Sequence, residues 1–307
     1  MSSVRATPPS QRSDYWCEDD KLLSYANRPL QRGRGGIPKT MHFIWLGGEL
    51  PDIYQLMIDS WRSRHPTWEV KLWDDEAAAS MDMTNRNIFD RARNYGMKSD
   101  VMRYEVLYTI GGVYIDIDYE CVGSLDDAVE SCAFFTGLSN CSVVEVNNGI
   151  IGCVPGHPLM RNIIQSLHKE EQTLSAIQQI PASIWSGISS FLVPHSTPSP
   201  DTSSPIDIGN HVFDACRNTK ENDYSFTITH TGPGLITKHI AEYIESTAEG
   251  NGDGVVIFNR DVFHPVPNSV QIDIRNAYER KRYRDMYVVS ENTIAIHWWQ
   301  RSWQKAS

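Results

Sequence analysis

The pattern of apolar and polar positions first becomes regular near residue 37. The apolar run at 41–46 ends in two glycines, which predicts a buried strand closed by a turn. Residues 51–64 then carry apolar side chains at helical spacing, and His65 and Pro66 predict the end of that helix. The expected buried face of the helix consists of Ile53, Leu56, Met57 and Trp61.

The alternation continues through the next segments. Residues 67–73 predict a second strand, and the acidic residues at 74–76 suit the first turn of a new helix. Two helices are predicted at 85–95 and 98–110, and the second stops at Gly111-Gly112 before a strand at 113–118. This βαβ rhythm predicts an α/β fold.

The remaining elements follow less regularly. We predict strands at 132–138, 255–258 and 293–299, a strand or turn at 146–153, and helices at 158–171 and 232–244. A long surface loop is predicted at 195–205, which is rich in Pro and Ser. Residues 1–36 are polar and predict a flexible leader, so that 37–307 form one domain.

The composition of the chain argues against several classes of protein and site. The 307 residues carry a net charge of -10, which argues against nucleic acid as a partner. The six cysteines lack zinc spacing; buried free thiols are the preferred interpretation, and disulfides stay open. No segment approaches the ~20 apolar residues of a membrane span. We therefore expect a cytoplasmic protein, with the Golgi lumen as the alternative if an anchor has been removed.

The segment 99–120 carries the candidate chemistry. On a strand at 113–118, Tyr114, Asp116 and Asp118 would point to one face. Two carboxylates held together are commonly stabilised by a divalent cation, and oxygen ligands with phosphate favour Mg²⁺ or Mn²⁺ over zinc. Asp100 and Arg103 lie on one side of the preceding helix and can reach the same site. The alternatives are two solvated aspartates and a surface ion pair.

Several segments together resemble the glycosyltransferases with a DXD sugar-binding region, the family of the yeast initiating α-1,6-mannosyltransferase. A more distant likeness extends to the glucosylating domains of large clostridial toxins. The resemblance runs from residue 37 to 303, and implies a GT-A fold, an open mixed sheet flanked by helices. It is carried by 37–47, 72–75, Ser99-Asp100, Arg103-Tyr104, 111–118 and 297–303.

The resemblance also implies residue roles. Trp45 would stack on the nucleotide base, and Asp100 and Arg103 would hold the donor sugar. The implied metal ligands for Mn²⁺ or Mg²⁺ are Asp116, Asp118 and His297. The implied catalytic residues are Asp100, Arg103, Asp116 and Asn148. The implied donor-binding residues are Ile44, Trp45, Asp100, Arg103, Tyr114, Asp116, Asn148, Gly149, Ser302 and Trp303. A structural histidine and an Asn-Gly turn are the alternatives for His297 and for Asn148-Gly149.

The reaction implied by the resemblance is a retaining transfer of a hexose from a nucleotide sugar to an acceptor hydroxyl. GDP-mannose and UDP-sugars are both candidate donors, and the acceptor can be a glycan, a protein or a small molecule. Thr231 to Gly234 is expected to begin a helix on the cleft wall. A metal-dependent phosphohydrolase and a non-catalytic sugar-binding protein are the alternatives. The sequence predicts no oligomeric state.

Overall fold

The computed structural model describes residues 36–178, 223–246, 254–288 and 290–300. The predicted loop at 195–205 and all but the last residue of the predicted leader lie outside these ranges. The strands are β1 (Thr40–Ile44), β2 (Glu69–Trp73), β3 (Gly112–Ile115), β4 (Tyr119–Cys121), β5 (Phe134–Leu138), β6 (Val146–Cys153), β7 (Val255–Phe258) and β8 (Ala295–His297). The helices are α1 (Asp52–Arg64), α2 (Asp75–Ser80), α3 (Arg86–Arg91), α4 (Tyr95–Ile110), α5 (Asp126–Ser131), α6 (Pro158–Gln178), α7 (Asp223–His230), α8 (Pro233–Ser246), α9 (Arg260–Phe263) and α10 (Ala277–Tyr287).

Six strands form one mixed sheet in the order β2-β1-β3-β6-β5-β7. β1 is parallel to β2 and β3, and β5 is parallel to β7, while β6 is antiparallel to both of its neighbours. One edge of the sheet therefore collects the carboxyl ends of β1, β3 and β5 together with the amino end of β6. Strands β4 and β8 form a separate antiparallel pair beside this edge.

The core lies on both faces of the large sheet. Buried side chains of α4, α6 and α8 pack on one face, for example Val101, Ile163 and Ile240. Buried side chains of α1, α5 and α9 pack on the other, including Trp61 and Phe263. Helices on both faces of a mixed sheet give an α/β architecture, which is the predicted fold class.

Helix α4 begins earlier than predicted. The Asn94 side chain accepts a hydrogen bond from the Met97 N–H, so it caps the helix, which starts at Tyr95. Residues 86–91 form a separate short helix. At the other end Gly111 and Gly112 have φ of 70° and 94°, a region that favours glycine. The glycine stop therefore sends the chain directly into β3.

The predicted strand at 113–118 is wrong in its second half. β3 ends at Ile115, and Asp116 to Tyr119 form a tight turn in which the Tyr119 N–H donates to the Asp116 carbonyl at 3.2 Å. The Asp116 N–H donates to the Gly149 carbonyl at 2.7 Å, so β6 fixes where the turn begins. Asp116 and Asp118 thus do not share a strand face, and a turn brings them together instead.

Smaller differences concern ends and faces. β8 stops at His297, because Trp299 has a φ of 54° that ends the extended backbone. In α1 the buried residues are Met57, Ile58 and Trp61, whereas Leu56, which was predicted to be buried, is 55% exposed. Residues 146–153, left open as strand or turn, are a strand. The sequence did not predict α5, α7, α9 or α10.

Four cysteines lie in the described ranges, and all four are free thiols: Cys121, Cys132, Cys141 and Cys153. Burial raises the pKa of Cys121 and Cys132 to about 12, so both thiols are protonated at neutral pH. Across the described parts of the chain, no helix combines the length and the apolar character that crossing a membrane requires.

A methyl group on Gly152 should destabilise the sheet. Its Cβ would lie 2.0 Å from Cε1 of Phe135 on the neighbouring strand β5. We expect Gly152→Ala to lower the free energy of unfolding by about 1–3 kcal/mol, as overpacking of a core does. Urea unfolding measures this loss. Gly36→Ala is the control, because its Cβ would be 3.9 Å from the nearest side chain; equal midpoints for both variants would contradict the packing.

Candidate active site

Three potential metal ligands converge beside the sheet edge. One ligand atom each of Asp116, Asp118 and His297 lies within 4.8 Å of the others. The two aspartates come from the turn after β3. His297 comes from β8, whose pairing with β4 places it directly opposite Tyr119. Residues separated by about 180 positions therefore meet because two short strands pair at this edge.

Asp118 is held as an ionised carboxylate. His297 Nε2 lies 3.3 Å from its Oδ1, and the Gln300 N–H donates to its Oδ2 at 2.7 Å. Burial alone would raise the pKa of Asp118, but His297 and these hydrogen bonds hold it below its ordinary value. The carboxylate is therefore charged at neutral pH and available as a ligand.

The environment of Asp116 favours its charged form less than that of Asp118 does. Burial raises its pKa; Arg103 opposes this shift, and the neighbouring Asp118 carboxylate adds to it. The Tyr114 hydroxyl donates to Asp116 Oδ1 at 2.5 Å. Two carboxylates this close repel each other unless a cation lies between them. Two carboxylates and one imidazole form a ligand set that suits Mn²⁺ and, through its oxygens, Mg²⁺.

The His297 ring is clamped between aromatic side chains. It stacks on Tyr119 at a centroid distance of 4.2 Å and an angle of 9°, and Trp299 lies 4.0 Å from it on a tilted plane. Its Nδ1 is buried, and no described residue offers it a hydrogen bond. Nε2 is the ring nitrogen that faces Asp118, so it is the atom that would bind a divalent cation. The residues present therefore fit a divalent metal.

Arg103 connects the candidate metal ligands to α4. One guanidinium nitrogen lies 2.9 Å from Asp100 and 3.4 Å from Asp116, and the other terminal nitrogen donates to the Asn148 carbonyl at 2.7 Å. The guanidinium also lies 4.4 Å from the centre of the Tyr114 ring. Both members of the Asp100–Arg103 pair are buried, so the surface ion pair considered from the sequence is wrong.

Both carboxylate oxygens of Asp100 accept hydrogen bonds from other side chains of the protein. Oδ1 accepts from the Asn148 side-chain amide and Oδ2 accepts from the Thr231 hydroxyl, each at 2.8 Å. Burial raises the pKa of Asp100 to about 6, and Arg103 and these donors counteract the shift. Thr231 lies in the turn between α7 and α8, so this contact attaches the predicted cleft wall to α4.

Trp45 stands at the carboxyl end of β1, directly after the buried Ile44. Its indole N–H donates to the Glu49 carbonyl at 3.0 Å, and its ring lies 5.3 Å from that of Tyr54. Gly47 closes the loop beside it with a φ of 90°, and a Cβ there would lie 2.4 Å from the Tyr95 ring. These contacts hold a half-buried indole in the lining of a cleft.

One cleft contains most of the residues predicted from the sequence. Its lining includes Ile44, Trp45, Asp100, Arg103, Tyr114, Asp116, Asp118, Asn148 and His297. Gly149 lies behind Asp116, and a Cβ on it would be 2.7 Å from Asp116 Oδ2. Ser302 and Trp303 lie outside the described residues. The structure thus places nine predicted side chains around one space.

Several residues near the candidate metal ligands were not predicted from the sequence. The Tyr119 hydroxyl lies 2.7 Å from His264 Nε2 and donates to Asn147 Oδ1 at 3.1 Å, and that oxygen also accepts from the Gly149 N–H. Tyr119 directly follows Asp118, so its place next to the motif could have indicated it. His264 lies far from the motif in the sequence, so no local pattern indicates that it reaches the site. Glu145 also lines the cleft and was not considered.

The segment that carries these site residues is similar to a known protein family. Residues 51–134 match the family described as glycosyltransferase sugar-binding region containing DXD motif. The predicted resemblance to this family is therefore confirmed, and the matched segment holds Asp100, Arg103 and both aspartates of the turn.

Two curated fungal proteins are similar in sequence. Inositol phosphoceramide mannosyltransferase 2 of Schizosaccharomyces pombe is 33% identical over 158 residues, which are 50% of this chain and 43% of the relative. A mannosyl phosphorylinositol ceramide synthase of Saccharomyces cerevisiae is 32% identical over 135 residues, 43% of this chain and 35% of the relative. The match thus spans less than half the length of either relative.

A solved structure shares the architecture. The catalytic domain of alpha-toxin from Clostridium novyi superimposes with a TM-score of 0.52 at 9% sequence identity, over 90% of this chain and 80% of that domain. Similarity at this identity concerns the fold alone. Together with the mixed sheet, it confirms the predicted GT-A fold.

The packing behind Asp116 gives a test of the metal site. Gly149→Ala should push Asp116 Oδ2 away, since the new methyl group would lie 2.7 Å from it. We expect Mn²⁺ affinity to fall about 10- to 100-fold, the range typical of changes that reorient a ligand. Asp118→Asn should lose at least as much.

Titration with Mn²⁺ followed by electron paramagnetic resonance measures this affinity. Gly36→Ala is the matched control and should bind Mn²⁺ like the wild type. Wild-type affinity in both Gly149→Ala and Asp118→Asn would rule out a metal site at this turn.

Proposed function

We propose that this protein transfers a hexose, with mannose as the first candidate, from a nucleotide sugar to an acceptor hydroxyl in a reaction that needs a divalent cation. The observation that carries the proposal is the juxtaposition of two groups in one cleft. One is the ligand set of Asp116, Asp118 and His297. The other is the buried cluster of Arg103, Asp100 and Asn148.

The order of these groups along the sheet edge suits a nucleotide sugar. The base would lie against Trp45 at the end of β1, and the diphosphate would lie at the turn after β3. Ligands in open α/β sheets bind at this edge of the strands. The donor sugar would then meet Asp100, Arg103 and Asn148. Such placement uses the indole face for stacking and the guanidinium for phosphate or sugar oxygens.

Arg103 is suited to the charge that develops in this reaction. The bond from the sugar C1 to the diphosphate oxygen breaks, and its electron pair leaves with the diphosphate. A bond from C1 to the acceptor oxygen forms, and the acceptor proton passes to an oxygen of the departing diphosphate. A divalent cation, when bound, neutralises part of the diphosphate charge. Arg103 already lies 3.4 Å from Asp116, so its charge would act on the same leaving group.

The relatives direct the choice of sugar. The names of both fungal relatives specify mannose and an inositol phosphoceramide. We therefore take GDP-mannose as the first donor to test, with UDP-sugars as alternatives. The predicted roles of Ser302 and Trp303 in closing over the diphosphate, and retention of the anomeric configuration, belong to this proposal.

A donor screen tests the proposal. GDP-mannose and the common UDP-sugars are incubated with the protein and Mn²⁺, and the release of GDP or UDP is measured. We expect turnover with at least one donor, its loss in EDTA, and its return with added Mn²⁺. Asp118→Ala should lower kcat/KM at least ~100-fold, because charge stabilisation of the leaving group is lost. Asp127→Ala changes an exposed aspartate and serves as control.

The same screen separates the alternatives. Release of inorganic phosphate from phosphate esters without use of any nucleotide sugar would favour a phosphohydrolase. Sugar binding that is insensitive to both EDTA and Asp118→Ala would favour a non-catalytic sugar-binding protein. Either result would overturn the proposed transfer reaction.

A conservative change at Arg103 should be costly. Lysine keeps the charge but cannot contact Asp100, Asp116 and the Asn148 carbonyl at once. We expect Arg103→Lys to lower kcat about 100-fold, comparable to the loss of one preorganised donor in an active site. Arg161→Lys is the control, because Arg161 is exposed and donates to the Tyr108 hydroxyl. Equal kcat values for the two variants would show that Arg103 has no role in the reaction.

A further inference from the structure

The sheet edge continues beyond the groups assigned to the donor. Neighbouring strands are about 4.8 Å apart, so the order β1-β3-β6-β5 sets a sequence of positions along the edge. The proposed donor would extend from Trp45 after β1, past the turn after β3, to Asn148 on β6. The next position is the connection between β5 and β6, residues 139–145. Cys141 and Glu145 bring this connection into the lining of the cleft, at the β6–β5 end of the strand order.

Glu145 is the charged side chain of this connection that lines the cleft. Its Oε1 accepts from the Ser139 hydroxyl at 3.1 Å. Within the described ranges, no residue donates a hydrogen bond to Oε2 and no cation pairs with the carboxyl. Burial raises the pKa of Glu145, and Ser139 opposes the shift. A desolvated carboxyl with an unused oxygen in a cleft is ready to accept hydrogen bonds from a ligand.

The surrounding contacts hold Glu145 in place. The fully buried Ser139 donates through its N–H to the Glu145 carbonyl at 2.8 Å, and its hydroxyl accepts from the Asn147 side-chain amide at 3.2 Å. Asn147 in turn accepts from Tyr119 and Gly149, which lie beside the metal ligands. A continuous chain of hydrogen bonds therefore connects the Glu145 carboxyl to the turn that carries the aspartates.

We propose that Glu145 is the acceptor-binding residue of this enzyme, and that its carboxylate receives the hydroxyl groups of a neutral polyol such as a sugar or cyclitol ring. The inference rests on the proposed function and extends it to the second substrate. A carboxylate accepts hydroxyl hydrogens in strong, charge-assisted bonds, and two neighbouring hydroxyls can bind its two oxygens. It repels phosphate groups, so a phosphorylated part of an acceptor lies away from this end.

In the transfer step Glu145 keeps its protonation state. It orients the acceptor so that one hydroxyl oxygen faces the sugar C1. The bond from C1 to the diphosphate oxygen breaks and the bond from C1 to the acceptor oxygen forms. The acceptor proton leaves with the diphosphate. Glu145 therefore affects the use of the acceptor and leaves the reaction of the donor with water unchanged.

Kinetics with and without an acceptor test this assignment. Wild type, Glu145→Gln and Glu145→Ala are assayed with Mn²⁺ and the donor that the wild type turns over. The acceptor probes are myo-inositol and methyl α-D-mannopyranoside. The control is Glu291→Gln, which changes an exposed glutamate outside the cleft. We expect both Glu145 variants to raise the acceptor KM at least 10-fold, with hydrolysis and KM of the donor within twofold of wild type.

Each other outcome overturns a stated part of the account. An unchanged acceptor KM in both Glu145 variants, with donor hydrolysis intact, removes Glu145 from the acceptor site and leaves the transferase function standing. A parallel loss of donor hydrolysis in both variants assigns Glu145 to donor binding or folding instead. Failure of both polyols to accelerate wild-type donor turnover rules out the neutral polyol. Absence of any donor turnover by the wild type refutes the proposed function itself.

Discussion

The contact of Arg103 with Asp100 and Asp116 is the interaction on which the candidate site depends. Arg103 and Asp100 are buried and Asp116 is half-buried beside them, and a buried charge is tolerated only when it is paired. Removing one partner of such a pair costs about 3–5 kcal/mol. These contacts therefore fix the position of α4 relative to the turn after β3, and with it the distance between the proposed sugar-binding and metal-binding groups.

The rest of the site follows from how the sheet edge is assembled. The antiparallel strand β6 brings Asn148 and Gly149 to the edge where β3 ends. The Gly149 carbonyl accepts the Asp116 N–H there, which fixes the turn of Asp116 and Asp118. Pairing of β4 with β8 adds His297. Glycine is needed at position 149, because a side chain there would occupy the space of the Asp116 carboxylate. Backbone pairing, rather than local sequence, sets the geometry of the ligands.

Local patterns predicted much of the fold and part of the site. The apolar runs that became β1 and β7 and the spacing that became α1 are governed by short-range periodicity. The helical spacing of Asp100 and Arg103 predicted their proximity correctly. The sequence also predicted that Asp116 and Asp118 lie close together, but it attributed this to a shared strand face, whereas a tight turn is the actual cause. His264, Asn147 and Glu145 could not be found this way, because non-local strand pairing and long-range hydrogen bonds place them near the site.

We expect one cleft to hold a divalent metal between Asp116, Asp118 and His297 and the nucleotide against Trp45. Anomalous scattering from a crystal grown with Mn²⁺ and GDP measures both positions at once. We expect a manganese peak coordinated by these three side chains and by the diphosphate, with the guanine ring stacked on the Trp45 indole. A manganese ion bound elsewhere, or a nucleotide that contacts neither Trp45 nor the metal, would contradict it.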